Sequence, residues 1–127
     1  MFYEPKDGHG LPHNPFKAIV APRPIGWVST ISKDGIPNLA PYSFFNGIGD
    51  APMMVMFSSG GVKDSIRTAQ ETGAFTANFV SHSMKDAMNA SSATVANGVN
   101  EFELAGLSTV DGDTVPCPRV KGVPAAL

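Results

Sequence analysis

Ser58-Ser59-Gly60-Gly61 runs into Lys63, Asp64 and Ser65 at the head of a helix-patterned stretch, and that order of residue types suits an anion. Glycines let backbone N–H groups approach a phosphate, a helix N-terminus adds its dipole, and the lysine adds charge. The turn is not a nucleoside-triphosphate P-loop, because no G-x-x-x-x-G-K-S/T pattern occurs. The same residues also suit a plain helix start, with Ser59 or Asp64 as the cap and Lys63 solvated. Ser29, Thr30 and Ser43 are a second polar group, set among apolar residues of 20–45. A hydroxyl left unpaired in such surroundings is costly, and a bound polar ligand is one partner that relieves it. Ser29 and Thr30 are equally ordinary for a strand whose polar face meets solvent.

Other residues carry weaker chemistry. Arg23, between two prolines, is held extended and can meet a phosphate as a planar fork, or form a surface salt bridge. His9 and His13 are four apart, but Gly10 and Pro12 between them deny the helical face that a two-histidine metal site uses, so no metal is expected. His82 is a lone loop histidine that can touch a nicotinamide or substrate or serve structure alone. Cys117, flanked by prolines, has no base nearby in sequence to activate it. No Ser-His-Asp or paired-carboxylate spacing is present, and no catalytic residue is assigned. Trp27, Tyr42, Phe44 and Phe45 fit a core better than a cofactor platform, although one of them can stack on a ring system.

These residues need elements to hold them. Ile25 to Ile31 is rich in β-branched and aromatic residues, and Ser32-Lys33-Asp34-Gly35 supplies an Asp-Gly turn before Ile36 to Ala40 extends again, which predicts a hairpin. Residues 41–51 read as a loop. Met53 to Phe57 is a continuous apolar run, expected to be a central strand buried on both faces. Val62, Ile66 and Ala69 recur at helical spacing up to Gly73, a C-terminal stop. Ala74 to Val80 alternates like a half-buried strand, and Ser83 can cap a helix bearing Met84, Ala87 and Met88. Glu101 to Ala105 suits a short helical turn, and Asp111-Gly112 a reversal. Residues 1–16 read as an irregular arm ahead of one β-rich domain over 17–127.

Composition narrows the partners. At 127 residues and 43% hydrophobic content the chain is long enough for one core and short for two. Nine basic residues against eleven acidic ones leave no basic footprint for nucleic acid. One cysteine cannot form an internal disulfide, and the N-terminus lacks a basic and an apolar leader region, so a reducing, cytoplasmic setting is expected. The longest apolar run, Ala51 to Phe57, falls well short of the roughly 20 residues that cross a bilayer, so no membrane partner is expected.

APRPIGWVST, the DG turn, PNLAPYSFFNGI and KDSIRTAQETGAF, in that order, resemble the flavin reductase-like, FMN-binding split-barrel family, in its flavoredoxin-like branch, from about Pro15 to Ala126. The resemblance implies a mainly β fold, a Greek-key split barrel with surface helices. It also implies that the chain is the N-terminal portion of a longer, C-terminally truncated domain whose open sheet edge needs cover. The cofactor implied is FMN. Ser58, Ser59, Lys63, Asp64 and Ser65 would then lie at its phosphate, Ser29 and Thr30 at the phosphate or ribityl chain, and Tyr42, Ser43, Phe44 and Asn46 at the polar edge of the isoalloxazine. Implied partners are NAD(P)H or an electron-donor or acceptor protein, with a homodimer that brings flavin near the subunit boundary. The activity implied is hydride transfer from nicotinamide to flavin and on to an acceptor. The alternatives are an FMN-binding electron carrier without nicotinamide turnover, and a non-catalytic interaction fragment.

Overall fold

The hairpin forms in the register that its turn dictates. In the computed structural model, which describes residues 2–127, β1 (Gly26–Ile31) runs antiparallel to β2 (Pro37–Tyr42), from Gly26 opposite Tyr42 to Ile31 opposite Pro37. Gly35 takes the φ of +81° that the turn requires, a left-handed value that favours glycine. The Ser32 Oγ accepts from the Ile36 N–H at 3.1 Å and closes the turn. The other edge of β1 carries β5 (Thr76–Asn78), also antiparallel. Beyond β5, Ala77 and Leu127 exchange both backbone hydrogen bonds, at 2.9 and 3.0 Å, so residues 125–127 cover that edge.

Side chains alternate across this sheet. One face of β1 and β2 carries Gly26, Val28, Thr30, Asn38, Ala40 and Tyr42, and helix α2 (Asp64–Thr72) packs close to both strands. The opposite face carries Trp27 and Leu39, which with Phe102 and Val120 make the buried core. Helices α3 (Lys85–Ala90) and α4 (Glu101–Leu104) and the short pair β6 (Thr109–Val110) and β7 (Arg119–Val120) follow α2 in the chain. Met84 and Met88 pack against that core, as the apolar stripe through them requires. Gly73 ends α2 in the left-handed conformation, φ +74°, the expected stop.

Two expectations are corrected. Residues 41–51 are not a loop: β2 continues to Tyr42, and β3 (Phe45–Asp50) pairs antiparallel with β4 (Met53–Phe57). β4 is a strand but is neither central nor doubly buried, since among the described residues it pairs with β3 alone and Met53 is 87% exposed. A short apolar run states that burial would be favourable; what packs on it is decided elsewhere in the chain. The arm before β1 contains α1 (Pro15–Ile19), capped by the Asn14 Oδ1, which accepts from the Phe16 N–H at 3.0 Å.

Candidate functional site

The α2-facing side of β2, the first turn of α2 and the segment 91–97 enclose a cleft of about 340 Å³, within the range of small-molecule sites. Four of the residues that the sequence singles out meet there: Tyr42, Lys63, Asp64 and Ser65. Alternation along β2 brings Asn38, Ala40 and Tyr42 to the same wall. The Tyr42 ring packs on Phe57 at 5.0 Å between centroids, and Phe57 on Phe75 at 4.9 Å. Its hydroxyl is buried and has no hydrogen-bond partner among the described residues. Such a group is costly to leave unmatched, and a ligand in the cleft can supply the match.

The cations differ in their commitments. Lys63 is the N-cap residue of α2, exposed and in no ion pair among the described residues. Arg67 pairs with Asp64 at 2.7 Å, so the charges of these two cleft residues are already matched to each other. No side chain caps α2: neither Ser59 nor Asp64 does so, and the N–H groups of its first turn are left for another acceptor. Ser65 is buried, and its hydroxyl donates to the Asn38 Oδ1 at 2.6 Å. The Asn38 Nδ2 donates to both oxygens of Glu101, at 2.9 and 3.0 Å, and the Leu39 N–H donates to the Glu101 Oε2 at 3.0 Å. Burial raises the Glu101 carboxyl above its ordinary pKa; the Leu39 N–H and the Asn38 amide pull it back and the Asp64 charge pushes it further up.

The remaining candidates lie outside the cleft lining. Ser29 and Thr30 point to opposite faces of β1 and cannot share a phosphate; both are fully buried, so neither faces solvent. The Ser29 hydroxyl donates to the Pro118 carbonyl and accepts from the Asn78 Nδ2, while the Thr30 Oγ1 lies unpartnered on the α2 side. Ser43 and Phe44 form the bend between β2 and β3, next to the Ser/Gly turn, because the Ser58 N–H donates to the Phe44 carbonyl at 2.8 Å. Ser58 is exposed, and the Ser59 Oγ is buried without a partner. Asn46 is exposed and its Oδ1 accepts from the Gly47 N–H. Arg23 is committed to α1: its Nη1 donates to the carbonyls of Lys17 and Val20 while the guanidinium lies 5.6 Å from the Phe44 ring centre. His9 Nδ1 accepts from the Leu11 N–H, and burial raises the Cys117 thiol pKa.

Asn38, Arg67, Ser91 and Glu101 also line the cleft and were not among the sequence candidates. For Asn38 a signal existed, since it stands two and four residues before Ala40 and Tyr42 on an alternating strand. For Glu101 none did, because its partner lies 63 residues away.

Residues 20–127 match the family described as Flavin reductase like domain. An uncharacterized protein of Aquifex aeolicus is 44% identical over 108 residues, 81% of this chain and 55% of its own length. The chain thus spans about half the length of such curated relatives. Among solved structures, nitrilotriacetate monooxygenase component B from Bacillus cereus superposes with a TM-score of 0.87 at 27% identity, over 100% of this chain and 65% of that one. Flavoredoxin of Desulfovibrio vulgaris (Miyazaki F) shares the fold, with a TM-score of 0.78 at 24% identity over 84% of this chain and 58% of its own. The fold is the split barrel, mainly β with surface helices.

Proposed function

The chain belongs to the flavin reductase-like family, and from that membership we propose that it is the flavin-holding portion of an oxidoreductase, with FMN in the cleft between β2 and α2. The observation that carries this reading is the buried, unpartnered hydroxyl of Tyr42 in a cleft that also holds the unpaired Lys63. Lys63 and the free N–H groups at the start of α2 would hold the phosphate. The Tyr42 hydroxyl would bond a polar atom of the ligand, while Phe57 and Phe75 back its ring and keep water from that side. Bound flavin would supply the redox chemistry, taking a hydride from NAD(P)H and passing electrons to free flavin, a metal ion or a protein. FMN is preferred over FAD because the anion site is one Ser/Gly turn with one lysine, and no G-x-G-x-x-G fingerprint for a pyrophosphate occurs in the sequence.

Absorption spectra of the purified chain with FMN, before and after NADPH, test the proposal. A flavin spectrum that NADPH bleaches is the expected result. A flavin spectrum that NADPH leaves unchanged would make the chain a carrier, and no bound flavin would defeat the reading. Heat release and chromatography should yield FMN; FAD alone would overturn the choice of cofactor.

A further inference from the structure

Glu101 is 5% exposed, yet none of the hydrogen bonds to its carboxylate comes from a cation. Burying a carboxylate is costly unless its oxygens are matched, and here the match is made by the Asn38 amide and the Leu39 N–H of β2. The amide's orientation is settled by its neighbours: a carboxylate only accepts, so Nδ2 faces Glu101, which leaves Oδ1 to receive the Ser65 hydroxyl at 2.6 Å. A continuous chain of buried polar groups therefore runs from α4 through β2 into the first turn of α2, along the floor of the cleft. Tyr42 stands on the same face of β2 as Asn38, so this chain sets the distance between the Tyr42 wall and the α2 terminus that opposes it.

We propose that Glu101 is a positioning residue for ligand binding, which acts through Asn38 and Ser65 to hold the first turn of α2 against β2 and so keeps the anion-binding end of the cleft in register with Tyr42. The carboxylate is engaged with internal donors and touches no ligand in this role. The idea rests on the reading of the cleft as the flavin site. Its consequence is specific: Glu101 and Ser65, which are not in contact through a direct hydrogen bond, act on ligand affinity as one unit.

Two measurements on Glu101→Gln, Ser65→Ala and the double variant test this. The first is the Kd for FMN by fluorescence titration, read beside each variant's melting temperature. The second is amide hydrogen exchange at Arg67 and Thr68, the first intrahelical donors of α2, with no ligand added. Each single variant is expected to weaken FMN by about tenfold, about the worth of one hydrogen bond, and the double variant to be no weaker than the worse single one. Exchange at Arg67 and Thr68 should speed up more than in β5. Losses that multiply in the double variant, or a folded Glu101→Gln with unchanged Kd and unchanged exchange, would overturn the proposal. If the unaltered protein binds no FMN, the flavin reading fails and the exchange result alone decides for or against the positioning role. Should Glu101→Gln not fold, Ser65→Ala breaks the chain at its other end: unchanged exchange at Arg67 and Thr68 in that variant overturns the proposal.

Discussion

Lys63 and Arg67 are one turn apart at the start of α2, but Asp64 engages only Arg67, at 2.7 Å. That leaves Lys63 as the cleft cation with charge to offer. Lys63→Ala is expected to weaken FMN binding by about 1.5–3 kcal/mol, the range for a hydrogen bond to a charged group. Titration of flavin fluorescence at low salt checks this, and unchanged affinity would leave Lys63 a solvated helix residue. Glu101 gives a pH signature of its own. Its folded pKa is raised from 4.5, with burial as the largest cause. The native state therefore holds this proton to higher pH than the unfolded state does. Stability from this group is fully present below about 4.5, the unfolded value, and is lost as pH rises through the folded pKa. Melting temperature should accordingly rise more, or fall less, on acidification from pH ~7 to ~5 in the unaltered protein than in Glu101→Gln. Parallel profiles would mean that the carboxyl titrates alike in both states.

At the scale of elements, β1 is the member on which both halves of the molecule depend. Its core face is tied to β5 and β7 by one side chain: the Asn78 Nδ2 donates to the Trp27 carbonyl at 3.0 Å and to the Ser29 Oγ at 3.1 Å, and its Oδ1 accepts from the Val120 N–H at 2.9 Å. Asn78→Ala strands the buried Val120 N–H and removes the side-chain donor from the Trp27 carbonyl, which keeps its place in the β1–β5 ladder. At roughly 1–3 kcal/mol for one stranded group, a loss of about 1–3 kcal/mol is expected in urea unfolding, with the midpoint as the readout. The same element shows what a polar residue type means without its face. Ser29 and Thr30 are neighbours of like chemistry, yet one binds the 118 carbonyl and the other lies under α2. Strand identity and the hairpin partner β2 were legible from the β-branched run and the Asp-Gly turn; the partner on the other edge, β5, and the 118 carbonyl under Ser29 were not, because they come from distant residues.

At the scale of the whole molecule, the β3–β4 hairpin leaves several large apolar side chains uncovered. Met53 is 87% exposed, Ile48 56%, Met54 47% and Met56 40%, and among the described residues the two strands pair only with each other. Apolar strands with free edges favour a second chain, and on that ground a homodimer is the expected assembly. Light scattering over a dilution series should show a dimer that FMN makes more resistant to dilution, by mass action. A compact monomer at every concentration, with or without FMN, would exclude both the dimer and a flavin site near its boundary. Among the described residues no helix is long and apolar enough to cross a membrane.

Where a local conformation is set by one or two residues, the chain declared it unaided. The Asp-Gly turn, the Gly73 stop and the helical run before it follow from φ preferences and periodicity that act over a few bonds. The ordered motifs from APRPIGWVST to KDSIRTAQETGAF likewise carried the family, and with it the split barrel. Only the tertiary structure decided which face of β1 and β2 meets α2, that Met53 to Phe57 lies at the outside, and that Glu101 reaches Asn38 across 63 residues. These depend on which distant segments pack together. Pairing energy between such segments is a property of two places at once, so a single stretch of sequence cannot display it. The cleft belongs to this second kind: Tyr42, Lys63 and Ser65 were visible as chemistry, and the Asn38–Glu101 support that holds them appeared only with the fold.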